Sequence, residues 1–101
     1  MAVDIYFFSS LEVEEVQAKI DLLRTQHQGL FFNRFIIYDA DRVNDTEKEI
    51  ALENKMMAKS QFMISLNDKS AADLVSTVLL LVRLALGPAN VIAVSNGVLR
   101  K

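Results

Sequence analysis

Neither cysteine nor tryptophan occurs among the 101 residues. The missing cysteine excludes disulfides, thiolate metal sites and a thiol nucleophile together. One proline and three glycines supply few turn residues, so most of the chain is expected in regular elements. A basic excess is missing too: 11 Lys and Arg against 13 Asp and Glu leave a net charge of −2. That disfavours a protein gripping phosphate backbones without regard to sequence, which runs on clustered cations. The longest apolar stretch, residues 74–86, is interrupted by Ser76, Thr77 and Arg83, and its 13 residues are too few to span a bilayer. The opening Met1-Ala2-Val3-Asp4-Ile5 lacks the basic start and small-residue cleavage site of a secretory signal. A soluble cytoplasmic protein is expected, and the lack of cysteine suits that compartment.

What is present is an ordinary globular mixture, 51% hydrophobic and 24% charged. At this length it makes a single domain over residues 1–101. Residues 1–59 hold 11 acids and 7 bases, residues 60–101 hold 2 and 4, so the two parts carry opposite net charge.

Residues 3–8 are short, β-branched and aromatic, and read as a strand. Ser9-x-x-Glu12 has the form of a capping box, with Phe8 and Val13 at the staple positions. Val13, Val16, Ile20 and Leu23 then recur at helical spacing, and Gly29 offers a left-handed stop. Residues 30–38 read as a second strand interrupted by Asn33 and Arg34, followed by the polar loop 39–42. Thr46-x-x-Glu49 opens a second helix to about Lys59, whose apolar residues make no clean stripe. Residues 61–66 alternate, with Phe62, Ile64 and Leu66 on one side and Gln61, Met63 and Ser65 on the wetter one. Ser70-x-x-Asp73 caps a third, very apolar helix that stops at Gly87-Pro88. Residues 91–94 form a strand, and Asn96-Gly97 signals a hairpin into a short last strand, 98–101.

Strict β-α alternation predicts an α/β three-layer sandwich: a four-stranded, mostly parallel, flavodoxin-like sheet of order 2-1-3-4. The first helix would cover one face, and the second and third the other. The alternative is a ferredoxin-like α+β sandwich in which residues 46–59 form an inserted helix and the second and third strands are antiparallel neighbours.

In a parallel sheet, ligands bind beyond the carboxyl ends of the strands. Those ends deliver Ser9 and Ser10, Asp39 and Asp41, Asn67 and Asp68, and Ser95 and Asn96. Such a rim suits a ribose or nucleoside better than a phosphate, because neither GxGxxG nor GxxxxGK[ST] is present. The same residue types are also the preferred helix caps and turn formers. Asp39, Asp41 and Asp68 lack the repeat of a calcium loop, so no metal and no cofactor is assigned. His27, the one histidine, falls in the last turn of the first helix, at the wrong end of that sheet for a Ser-His-Asp triad. The aromatic residues Tyr6, Phe7, Phe8, Phe31, Phe32, Phe35 and Tyr38 have only Arg34 interleaved, and read as core rather than a base-stacking platform. On the third helix Leu80 and Leu84 fall within the polar side defined by Asp73, Ser76, Thr77 and Arg83. Leu80, Leu84, Thr77 and Arg83 are the expected partner interface.

Three stretches, VDIYFFSS, KEIALENKMMAKSQFMISL and LALGPANVIAVSN, resemble the nucleoside 2-deoxyribosyltransferases and the TIR domains. That resemblance implies a flavodoxin-like fold and cleavage of an N-glycosidic bond by a glutamate on the helix after the third strand. Residues 71–86 contain no glutamate; Leu79 stands about where it would sit, and Asp73 is the only acid. The resemblance therefore implies a binding-type relative without the reaction.

Two readings follow. The first is a small non-catalytic interaction module of immunity, inhibitor or regulatory type, forming a homodimer or binding a protein partner. The second is a nucleoside- or nucleotide-binding protein using the strand-end rim.

Overall fold

The computed structural model describes residues 3–96 and 98–100. Met1 and Ala2 at the start of the sequence, Gly97 of the expected turn and Lys101 of the expected last strand lie outside them. The elements are β1 (Asp4–Ser9), α1 (Val13–Gln26), α2 (Gln28–Phe31), β2 (Phe35–Ile37), β3 (Asp41–Arg42), α3 (Asp45–Glu53), β4 (Ser60–Leu66), a 3-10 turn (Lys69–Leu74), α4 (Val75–Leu86), a second 3-10 turn (Pro88–Asn90), β5 (Val91–Ser95) and β6 (Val98–Arg100).

All six strands join one sheet of order β2-β4-β1-β5-β6, with β3 also on β4, and every pairing is antiparallel. This overturns the parallel, flavodoxin-like sheet of order 2-1-3-4. Alternation of strands and helices does not reveal whether a crossover lands beside its starting strand or skips a place. Here it skips: β1 and β2 run the same way with β4 lodged between them, and β4 and β5 run the same way with β1 between. Antiparallel pairing of Phe35–Ile37 with Ser60–Leu66 is what the ferredoxin-like alternative required, although the sheet has six strands rather than four. The physical clue is the alternation in β4. A parallel strand is buried on both sides, whereas an antiparallel sheet tolerates one wet face.

The two faces differ. On the first, α1 and α4 pack side by side over Ile5, Phe7, Phe35, Ile37, Phe62 and Ile64. Val16, Ile20 and Leu23 of α1 and Val75, Val78, Leu79, Val82 and Leu86 of α4 face inward at helical spacing. Phe7 and Phe62 stack with centroids 4.8 Å apart. Thus the first and third expected helices share a face, contrary to the sandwich expectation. On the second face a smaller cluster of Phe8, Val43, Ala51, Met56, Ala58 and Val94 lies under α3.

Helix boundaries shift for local reasons. Ser9 ends β1 and Glu12 is the N-cap of α1, without a side-chain cap. The capping box of α3 is Asn44 with Glu47, two residues before the expected pair: Glu47 N–H donates to Asn44 Oδ1 (2.7 Å) and Asn44 N–H to Glu47 Oε1 (2.9 Å). That helix stops at Glu53, where Lys55 turns left-handed at φ 63°. Asp68, not Ser70, caps the turn before α4. Gly29 lies inside α2, which replaces the expected start of the second strand, and His27 is the C-cap of α1. Gly87, at φ 95°, ends α4 as anticipated.

Candidate interaction surfaces

The rim expected at the strand ends divides in two. Register brings Ser9 opposite Ser60 and Val91, so Ser9 and Ser10 share an end of the sheet with Asp41, which faces Gln61, and with Asp39 just before it. Asn67 and Asp68 follow Leu66 at the other end, beside Phe35, and Ser95 and Asn96 lie at that far end too. Four residues at each end cannot converge on one nucleoside, and the nucleotide site falls with the parallel sheet that would have gathered it.

Most of the eight already have a local structural task. Ser9 Oγ is buried, donates to Asn90 O (2.7 Å) and accepts from Leu11 N–H (3.1 Å). Ser10 Oγ reaches Asn90 Oδ1 at 3.5 Å. Ser95 Oγ donates to Asp4 O (3.3 Å), and Asn67 Nδ2 donates to Asn33 O (2.7 Å). Asp68 accepts from the Ser70 hydroxyl and N–H, which together hold its carboxyl below the usual range. Asp41 accepts from Arg42 N–H (2.7 Å), while Asn96 takes a left-handed φ of 55° at the turn into β6. Asp39 accepts from Arg24 Nη1 (3.0 Å) and Gln17 Nε2 (3.1 Å), and these bonds, with the Arg24 charge, lower its pKa. Arg24 also donates to Ile37 O, and Gln17 Oε1 accepts from Ala40 N–H, so the cluster ties α1 to the end of β2. No group of three or more His, Asp or Glu suited to a metal occurs among the described residues.

Apolar side chains are exposed at several places, among them Phe32 (78%) in a cleft beside α2 and the three surfaces described next. Leu80 (55%) and Leu84 (68%) stand out from α4 with Thr77, as expected, and Arg83 Nη2 donates to Arg100 O (2.8 Å) beside them. A cleft of about 580 Å³ lies between the start of α1 and α3, lined by Val13, Val43, Leu52, Met56 and Met57. Lys59 Nζ meets Glu12 Oε1 (3.2 Å) on its rim. The third surface is the half of the second sheet face that α3 leaves bare, where Tyr6 (42%), Ile36 (38%) and Tyr38 (44%) are exposed.

Sequence reasoning assigned both tyrosines to the core and missed this surface. Phe7, Phe8, Phe31 and Phe35 are buried, but Tyr6, Phe32 and Tyr38 are not. The signal was period-two alternation in β1, which sets Tyr6 opposite to Ile5 and Phe7.

The family model described as CDI System Immunity Component matches residues 1–98. A curated relative, Immunity protein CdiI-2 of Burkholderia pseudomallei (strain 1026b), is 35% identical over 78 residues, 77% of each chain. One chain of the CdiA-CT/CdiI toxin and immunity complex from Burkholderia pseudomallei superposes with a TM-score of 0.89 at 26% identity, covering 95% of this chain and 93% of that one. These matches replace the resemblance to deoxyribosyltransferases and TIR domains. The strings that carried it are hydrophobic patterns, and the strands within them, β1, β4 and β5, pair antiparallel instead of forming a parallel flavodoxin-like sheet.

Proposed function

Because the chain belongs to the CDI System Immunity Component family, as a non-catalytic immunity module that works by protein interaction, we propose that its partner is a CdiA-CT toxin, which it holds inactive in a stoichiometric complex. The observation that carries this reading is the 95% coverage by a chain of a toxin and immunity complex at a TM-score of 0.89. The site of action is the cytoplasm, a compartment that suits a chain free of cysteine. No helix among the described residues is long and apolar enough to cross a membrane.

Neither the family nor the relatives lend support to a homodimer or a nucleotide ligand. The α4 patch of Leu80, Leu84, Thr77 and Arg83 and the bare sheet face are rival surfaces for the same partner. The test is co-expression with the CdiA-CT toxin domain of the strain that supplies this chain, then light scattering of the purified pair. The expected result is rescued growth and a mass equal to one copy of each protein. Growth arrest despite the chain, with the two proteins eluting apart, contradicts the reading.

A further inference from the structure

The bare part of the second sheet face is a small grid, and its layout specifies a partner surface. Directly paired residues share a face, so three rows can be read across β1, β4 and the β2–β3 edge. The first is Asp4, Ser65, Ile36; the second Tyr6, Met63, Tyr38; the third Phe8, Gln61, Asp41. Tyr38 enters the second row through its N–H, which donates to Met63 O (2.9 Å). Of these nine, Phe8 is buried in the cluster under α3, and the middle row and Ile36 make an apolar, aromatic centre. Asp4 and Asp41 stand at diagonal corners, about 16 Å apart for strands ~4.8 Å apart rising ~3.3 Å per residue.

Charge is sorted between the faces. The strands carry four charged residues, Asp4, Asp41, Arg42 and Arg100. Both acids lie on the bare face; Arg42 pairs with buried Ser60 and Arg100 with core Ala93, on the helix-covered face. Beyond Asp41 and Arg42, the neighbouring segment 39–55 adds to the sign with five acids against two bases. The other surfaces lack this combination. The α4 patch has an arginine at its side, and the cleft mixes Arg42, Lys48 and Lys59 with Glu12 and Glu14.

We infer that this grid is the surface on which the CdiA-CT toxin docks, and that it receives a cationic toxin patch whose Lys or Arg side chains reach Asp4 and Asp41 while their stems and apolar neighbours lie on Tyr6, Met63 and Tyr38. The inference rests on the toxin reading above. Tyrosine is among the residues that dominate interface energetics, and its ring face attracts a cation held over it. An ordinary interface covers ~800 Å² on each partner. The grid supplies its apolar centre, and the acidic flank at 39–55 supplies a rim that speeds encounter at low salt.

The experiment measures binding kinetics to the CdiA-CT toxin domain of the same strain, for the parent chain and three variants checked for folding by circular dichroism. Tyr6→Ser with Tyr38→Ser should raise Kd about 100-fold, mostly through faster dissociation. Asp41→Lys, at an exposed site, should slow association about tenfold in dilute salt, with the deficit shrinking as salt is added. Leu80→Asp with Leu84→Asp should stay within about threefold of the parent, the scatter expected of a site outside the contact. Folded tyrosine and Asp41 variants that bind like the parent overturn the grid while leaving the toxin reading standing; so does loss of binding on the α4 substitutions alone. A parent that fails to bind overturns the toxin reading and the grid with it. A parent that is a dimer without toxin, made monomeric by the tyrosine substitutions, assigns the face to a second copy and overturns the proposal.

Discussion

The two faces of the sheet are built from the same strands, yet only one is sealed. Beneath α1 and α4 the inward residues of β1, β2, β4 and β5 are almost all buried, and the core runs from Ile5 to Ala93. On the opposite face α3 has nine residues and one buried side chain, Ala51, so its cover stops near Phe8 and Val94. Burial on the first face stabilises the fold, while exposure on the second leaves apolar surface free for a partner. A single strand serves both ends, since Phe7 and Tyr6 are neighbours in the chain and opposites in environment.

Substitutions that remove one side chain from each face break this comparison most sharply. Phe7→Ala, which also destroys the stack on Phe62, should lower the unfolding free energy by about 3–5 kcal/mol. Tyr6→Ala, one residue away, should cost less than ~1 kcal/mol, the usual scale for a surface position. Urea titrations of both variants check the contrast, and equal losses would mean that the second face is as closed as the first. Met56→Ala, in the small cluster under α3, should fall between them at about 2 kcal/mol.

Smaller effects are expected at α3 and its surroundings. Asn44→Ala removes the reciprocal capping bonds with Glu47 and should cost ~1 kcal/mol, seen as an earlier thermal transition. The smallest effect is electrostatic. Asp39 has its pKa lowered by the Arg24 and Gln17 hydrogen bonds and by the Arg24 charge. A depressed carboxylate stabilises the fold above its unfolded pKa, near 3.8, and that contribution is lost as pH falls through the folded value. Asp39→Asn should therefore lower stability slightly at neutral pH and leave it unchanged in strong acid, which flattens the acid limb of the stability curve. Its exposure and solvent screening keep the change small.

Much of the fold is legible in the chain, element by element. The alternation of 61–66, the β-rich 3–8 and 91–94, and the Gly87-Pro88 stop all correspond to observed features, because each follows from local periodicity or backbone chemistry. Strand order is not local. A helix that skips a position and one that does not look alike in sequence, and only the wet side of β4 (Gln61, Met63, Ser65) argued for an antiparallel sheet. The polar rim was misplaced for the same reason, since reversing β4 and β5 carries Asn67, Asp68, Ser95 and Asn96 to the far end. The exposed pair on α4 was readable because Leu80 and Leu84 sit one turn apart among polar neighbours. Tyr6 and Tyr38 were not, because an aromatic side chain in a strand reads as core until something shows how much of that face is covered.

Whether the uncovered sheet face meets the toxin can be read from methionine methyl groups, labelled for NMR while the CdiA-CT toxin domain is titrated into the protein. Met63 sits in the grid, and Met57, 81% exposed, lines the cleft beside α3. If the toxin docks on the uncovered face, the Met63 methyl signal shifts in proportion to added toxin and saturates at one equivalent, with Met57 less affected. A Met63 signal that stays in place while Met57 moves would contradict it.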